Sequence, residues 1–209
     1  MKSQNIFRRY WDSYGGFSAL FTSAYLYISL VLTFITFPYW AENTWWDQVF
    51  QILPNVLGFS LGGYAIWMAI GDENFRSLIS GASKSGKPSP FMGLSAAFVH
   101  FIFIQLLAIL VALVANAYYF IPKPEHFFYN YTQEYPSVFY ALKLIGNFVG
   151  YFLFIYALML ALAATFSILR ISSWYEMHQT ALKKTEKSQA ANENSYDVKK
   201  KTESDSGTK

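Results

Sequence analysis

Two polar residues that can support chemistry, His100 and Gln105, lie inside an uncharged stretch that runs from Lys87 to Lys123. A histidine in an apolar environment can relay protons or sense pH, because its pKa lies near neutrality. Proton-coupled transport usually also needs a carboxylate inside the membrane, and the long uncharged stretches of this chain contain none. We therefore favour the alternative that His100 forms a hydrogen bond with a neighbouring helix.

A pair of carboxylates, Asp72 and Glu73, directly follows a second uncharged stretch. Adjacent carboxylates can bind a cation or the basic patch of a partner protein. Alternatively, Gly71 ends a helix here and the acids pair with Arg76 at the surface, where ion pairs contribute little to stability. Asp72 and Glu73 are thus a candidate contact site on the cytoplasmic side.

Several other chemistries are disfavoured by the sequence. The chain contains no cysteine, which excludes disulfides, thiolate metal sites and cysteine nucleophiles. Residues 80–87 lack the spacing of a phosphate-binding loop, and no helical metal-binding motif occurs. The basic residues of the C-terminal tail are interleaved with acidic ones and lack the aromatics on which bases stack. We expect no cofactor, no metal and no nucleic-acid partner, and we favour a protein that is not an enzyme.

The elements that must position these residues are predicted to be membrane-spanning helices. Only 14% of the residues are charged, whereas 54% are apolar and 20% are aromatic. A helix needs roughly 20 apolar residues to cross the hydrocarbon core of a bilayer. Four uncharged stretches meet that need, which predicts an all-α, integral membrane four-helix bundle with spans at residues 17–37, 52–71, 92–120 and 138–171.

The distribution of basic residues predicts the orientation of these spans. Of the 16 Lys and Arg residues, all except Lys123 and Lys143 lie on one side of the predicted topology. The positive-inside rule then places both termini in the cytoplasm. We expect a multi-pass protein of the bacterial inner (plasma) membrane.

The two ends of the chain differ from the transmembrane domain, which we assign to residues 17–182 with the last helix extending into the cytoplasm. Residues 1–16 form an amphipathic segment whose aromatic side chains share one helical face, as in an interfacial helix. Residues 183–209 contain almost no apolar side chains and are predicted to be a disordered cytoplasmic tail. Trp45 and Trp46, before the second span, are predicted to lie at the membrane interface.

Small residues form stripes along two of the predicted spans. Lipid gives helices no hydrophobic reason to associate, so small residues promote association by letting backbones approach closely. Each stripe either packs inside the bundle or holds copies of the protein together, and both alternatives stay open. The stripes consist of Asn55, Gly58, Gly62, Ala65 and Ala69 in the second span, and of Gly146, Gly150, Ala157, Ala161 and Ala164 in the fourth.

Hydroxyl side chains form another stripe along the first span. These groups can line a polar path across the membrane together with His100 and Gln105. Alternatively, they bond the carbonyl four residues earlier, as Ser and Thr commonly do in membrane helices. The stripe contains Ser18, Thr22, Tyr25, Ser29, Thr33 and Thr36.

Three functional hypotheses follow from these patterns. The leading one is a multi-pass membrane protein that acts by helix association, as a subunit, scaffold or membrane-acting accessory or effector of a larger system. Its partners are then the lipid bilayer and either further copies of itself or other membrane subunits. The alternatives are an oligomeric ion channel or membrane-permeabilising effector, and a transporter or enzyme that uses His100 and Gln105.

Overall fold

The computed structural model describes residues 5–42, 44–69, 73–81, 88–117, 124–125 and 129–206. Within these ranges the regular secondary structure is entirely helical. The helices, in chain order, are α1 (Ile6–Tyr14), α2 (Gly16–Thr22), α3 (Ala24–Ile35), α4 (Phe37–Trp40), α5 (Trp45–Ala69), α6 (Glu73–Ile79), α7 (Pro90–Ala117), α8 (Tyr129–Glu134) and α9 (Pro136–Ser206).

Three of these helices are long and apolar enough to cross a membrane: α5, α7 and the part of α9 up to Gln189. Their most apolar stretches have mean hydropathies of 1.4, 2.7 and 2.4. The predicted first span differs, because α2 and α3 meet at an angle of 52°. The described residues therefore contain three helices that could each cross a membrane, or four such elements if α2 and α3 together cross as one.

Local backbone geometry explains the breaks before and within the first span. Gly15 ends α1 in the left-handed region, at a φ of 105° that side chains disfavour, and Gly16 follows at 64°. Ser23, at φ −73° and ψ 119°, is extended and separates α2 from α3. The sequence prediction of one continuous helix over residues 17–37 missed this extended residue, since serine is compatible with a helix interior.

The second span begins earlier than predicted, because two tryptophans belong to its first turn. Trp45 and Trp46 are buried at 0% and 4% exposure, so their rings pack in the core, and their position at the membrane interface stays a prediction. Pro54 therefore lies inside α5 and not in its first turn. Membrane helices tolerate such prolines, because neighbouring groups can satisfy the freed carbonyl.

The helices pack around a central pair, α7 and α9. Helix α5 packs against both, α3 packs against α9, and α1 packs against α7. Three indole N–H groups donate hydrogen bonds that tie separate segments together: Trp45 to Oδ1 of Asn147 at 3.1 Å, Trp67 to Oγ of Ser95 at 3.2 Å, and Trp40 to the Thr33 carbonyl at 2.7 Å. In an interior without water, such bonds fix the register of one segment against another.

Helix α9 continues through Ser206, past residue 183 where the predicted disordered tail begins, and disorder of this tail stays a prediction. Its side chains from residue 180 to 189 are all exposed, so tertiary packing does not stabilise this part of α9. Lys, the most frequent residue here, has a high helix propensity. The same polar composition that predicts disorder for this segment is therefore also compatible with a helix that is exposed to solvent.

Candidate functional site

The most concentrated group of buried polar side chains surrounds His100, which is 3% exposed. Its Nδ1 lies 2.6 Å from the hydroxyl of Tyr10, and its Nε2 lies 3.4 Å from the hydroxyl of Tyr156. The ring of Tyr14 stacks on the imidazole with a centroid distance of 4.0 Å. We call these four residues the His100 cluster; it joins α1, α7 and α9.

The N-terminal helix reaches this cluster because it runs antiparallel to α7. Ser13, near its end, faces Gly93 near the start of α7, whereas Phe7 borders a small apolar groove with Phe103. Tyr10 lies between these contacts and meets His100. The aromatic face that predicted an interfacial helix is thus partly used for packing on α7, and an interfacial position stays a prediction.

Burial further disfavours ionisation of the α1 tyrosines, whose hydroxyls are neutral at pH 7. Desolvation, with a smaller contribution from the charge of Tyr14, raises the pKa of Tyr10 to about 12. Burial likewise raises the pKa of Tyr14. Neutral phenols can donate or accept, so both ring nitrogens of His100 have a phenol partner in either tautomer. Because the described partners include no carboxylate, the cluster is suited to hold α1 against the bundle.

His100 and Gln105 do not form one site, because they face different helices. Gln105 is fully buried and donates through Nε2 to Oγ of Ser60 on α5 at 3.0 Å. Its Oε1 has no hydrogen-bond partner among the described residues, nor has Nδ2 of Asn147. These contacts do not connect His100 with Gln105, so a polar path through both residues stays a prediction.

The hydroxyl stripe of the first span is divided by the bend at Ser23. Ser18 and Thr22, before the bend, are exposed, and Oγ1 of Thr22 donates to the Ser18 carbonyl at 2.7 Å. Ser29 and Thr33, after it, are fully buried. Their hydroxyls donate to carbonyls four residues earlier at 2.6 and 2.7 Å. The observed contacts are those of the packing alternative.

A pair of substitutions separates the packing and path alternatives for these hydroxyls. Thr33→Val should change stability by less than about 1 kcal/mol, because a bond to the residue's own helix adds little. Ser29→Leu should cost about 2 kcal/mol, because it overpacks a fully buried site. Thermal unfolding in detergent measures both; a change in ion flux through liposomes for either variant would instead support a polar path.

The two stripes of small residues face opposite environments. On α9, Gly150 and Ala157 are buried, Ala161 is half-buried, and a Cβ at Gly150 would collide with the Trp45 ring. Gly146, at the start of that stripe, is exposed. On α5, every member of the stripe is exposed, and a Cβ at Gly58 or Gly62 would meet nothing within 4 Å; the members are Asn55, Gly58, Gly62, Ala65 and Ala69.

The acidic pair is only partly described by the structure. Asp72 lies outside the described residues, and Glu73 is the exposed first residue of α6. Within the described ranges, no group of three His, Asp or Glu side chains is arranged to hold a metal ion. A cation site at Asp72 and Glu73 stays a prediction.

Comparisons with protein-family models, curated proteins and solved structures found no match to this chain. The class of the protein therefore follows from its own features. It is an all-helical protein with helices long and apolar enough to span a membrane.

Proposed function

We propose that the protein acts by association, with the outward face of α5 binding another transmembrane helix. This α5 face consists of residues that recur every three or four positions: Asp47, Gln51, Asn55, Gly58, Gly62, Ala65 and Ala69. The observation that carries the proposal is that all seven are exposed, although the same helix buries its opposite side. Of the most apolar stretch of α5, 17% is buried, against 39% for α7.

The chemistry of the α5 face suits a helix and not lipid tails. Two glycines one turn apart allow a second backbone to approach closely, which strengthens dispersion contacts and weak Cα–H hydrogen bonds. The exposed amides of Gln51 and Asn55 are costly against hydrocarbon. Nδ2 of Asn55 donates to the backbone carbonyl of Gln51 at 3.2 Å. The side-chain oxygen of Asn55, Oδ1, can then accept a hydrogen bond from a partner helix.

The rest of the bundle supports the same function. Inside it, polar side chains pair with neighbouring helices, as in the Gln105–Ser60 and Trp67–Ser95 bonds. We infer a subunit, scaffold or accessory of a larger membrane system, assembled from further copies or other membrane subunits. In this proposal it lies in the bacterial inner membrane with both termini in the cytoplasm.

Disruption of the α5 face should weaken association at least tenfold. Gly58→Ile places a branched side chain where the partner backbone would approach, and a tenfold loss corresponds to about 1.4 kcal/mol. Gly146→Ile is the matched control, because that glycine is also exposed with nothing within 4 Å of its Cβ. The measurement is oligomer mass in mild detergent against protein concentration.

Single cysteines give a second test of this association, since the chain contains no cysteine of its own. Ala65→Cys on the α5 face should form a disulfide-linked product in oxidised membranes, whereas Leu110→Cys, exposed on α7, should not. A monomeric protein that forms neither the concentration-dependent oligomer nor a cross-link at Ala65 would contradict self-association. A cross-link from position 65 to a different membrane protein would show that the α5 face binds another subunit and not a second copy of this chain.

A further inference from the structure

A second feature of α5 is an apolar groove between α5 and α9, which borders the α5 face and shares Gly62 with it. The groove has a volume of about 260 Å³, and among its lining residues are Phe59, Gly62, Gly63 and Trp67 of α5 and Ile168 and Ile171 of α9. From Phe59 to Trp67 it extends about 12 Å along α5, at 1.5 Å per residue. It runs along α5 and α9, which are both long and apolar enough to span a membrane, so in the proposed topology it faces lipid hydrocarbon.

Adjacent glycines give the groove its depth. A Cβ at Gly62 would meet nothing within 4 Å, and one at Gly63 would only touch Cδ1 of Ile168 at 3.8 Å and Cε1 of Phe98 at 3.9 Å. Phe98, which is 1% exposed, therefore lies beneath the groove. Side chains at the two glycine positions would fill the space, so the groove depends on their absence.

A positive charge lies beside the Trp67 end of the groove. The guanidinium of Arg76 donates to the carbonyl of Met68, the residue after Trp67. Among the described residues no carboxylate pairs with Arg76, and its side chain is exposed. Since a guanidinium has five N–H donors, most remain available for a phosphate group, which arginine binds in bidentate fashion.

We propose that this groove binds an anionic phospholipid, with one acyl chain along Gly62 and Gly63 and the phosphate at Arg76. Moving a chain from bulk lipid into the groove leaves its apolar environment unchanged, so burial alone gives no selectivity. Retention instead depends on close packing in the groove together with the charge-assisted bonds at Arg76. An apolar groove and, at one end, a guanidinium that no carboxylate of the described residues pairs with match the two parts of such a lipid.

Native mass spectrometry of the full chain, titrated with phosphatidylglycerol or phosphatidylcholine, tests this site. The parent protein should retain phosphatidylglycerol more strongly than phosphatidylcholine. Gly63→Leu, which fills the groove, should reduce retention of both lipids at least tenfold. Arg76→Gln should keep the acyl-chain site and abolish the preference for phosphatidylglycerol.

Gly58→Leu is the matched control, because Gly58 lies on the same helix but outside the groove. It should leave lipid retention unchanged while weakening association through the α5 face, and Gly63→Leu should do the reverse. Gly62 belongs to both sites, but Gly58 belongs only to the α5 face and Gly63 only to the groove, so these two variants distinguish failure of one proposal from failure of the other. Ile168→Phe narrows the groove from α9 and replaces Gly63→Leu if that variant does not fold. Parent-like retention in a folded groove-filling variant would overturn the lipid site.

Discussion

Gly150→Leu should destabilise the protein by about 2–4 kcal/mol, the largest effect expected of a substitution among the described glycines. A Cβ at this position would already collide with the Trp45 ring and lie 3.2 Å from Cγ1 of Val111. Trp45 is fully buried and cannot move outward without opening the contact between α5 and α9. Overpacking of a filled core typically costs 1–3 kcal/mol.

Displacement of Trp45 also breaks a hydrogen bond, which is why the expected cost exceeds that of steric overlap alone. The Trp45 indole donates to Oδ1 of Asn147 at 3.1 Å, and Nδ2 of that asparagine already has no partner among the described residues. Leaving Oδ1 unpaired as well costs about 1–3 kcal/mol when the group is buried.

Thermal unfolding in detergent, followed by fluorescence-detected size exclusion, measures this effect. Gly146→Leu, one turn earlier and exposed, is the control and should change stability by less than about 1 kcal/mol. Equal unfolding temperatures for the two variants would show that the contact between Trp45 and Gly150 does not hold the bundle.

The second large effect is expected from His100→Ala, which should release α1 from the bundle. The variant removes the imidazole on which Tyr14 stacks and leaves the half-buried hydroxyl of Tyr10 without its histidine partner, whereas the Tyr156 hydroxyl keeps its hydrogen bond to Tyr14. Stacked ring pairs contribute about 0.5–1.5 kcal/mol, and a buried unsatisfied hydroxyl costs about 1–3 kcal/mol. Together these amount to about 1.5–4.5 kcal/mol, which corresponds to at least a tenfold increase in opening of α1.

Limited trypsin digestion gives a direct measurement, since Arg8 and Arg9 lie on α1. Cleavage within a helix requires local unfolding, so the cleavage rate should rise at least about tenfold in His100→Ala. Tyr10→Phe keeps the ring and loses only the hydroxyl, so a smaller rise, of about tenfold at most, is expected. His178→Ala, at a histidine that packs on Phe75 away from α1, is the control. Unchanged cleavage in His100→Ala would contradict the holding role of the cluster.

The helical class and the spans of α5, α7 and α9 were predictable because they depend on local pattern. A long uncharged stretch must satisfy its own backbone hydrogen bonds in lipid, and only a helix does so within a single segment. The boundaries were less predictable. Trp45 and Trp46 extend α5 beyond its predicted start because they pack in the core, and that packing requires another helix.

The roles of the polar residues depended on contacts between residues distant in sequence. His100 was recognised as a polar residue in an apolar helix, but its bond to Tyr10 joins positions 90 residues apart. The tyrosines of α1 suggested an interfacial helix, since aromatic side chains suit headgroups and helix surfaces equally. No spacing within α1 distinguishes these two environments.

The two small-residue stripes show most clearly which features depended on the sequence of one helix and which depended on the tertiary structure. The sequence by itself determined that α5 and α9 each have a face on which another helix can pack closely, because periodicity is a property of one helix. Only the tertiary structure decided that the α9 face is largely filled by Trp45 and its neighbours while the α5 face stays open. The reason is physical: glycines every four residues permit close approach, but which helix approaches depends on how all the others pack.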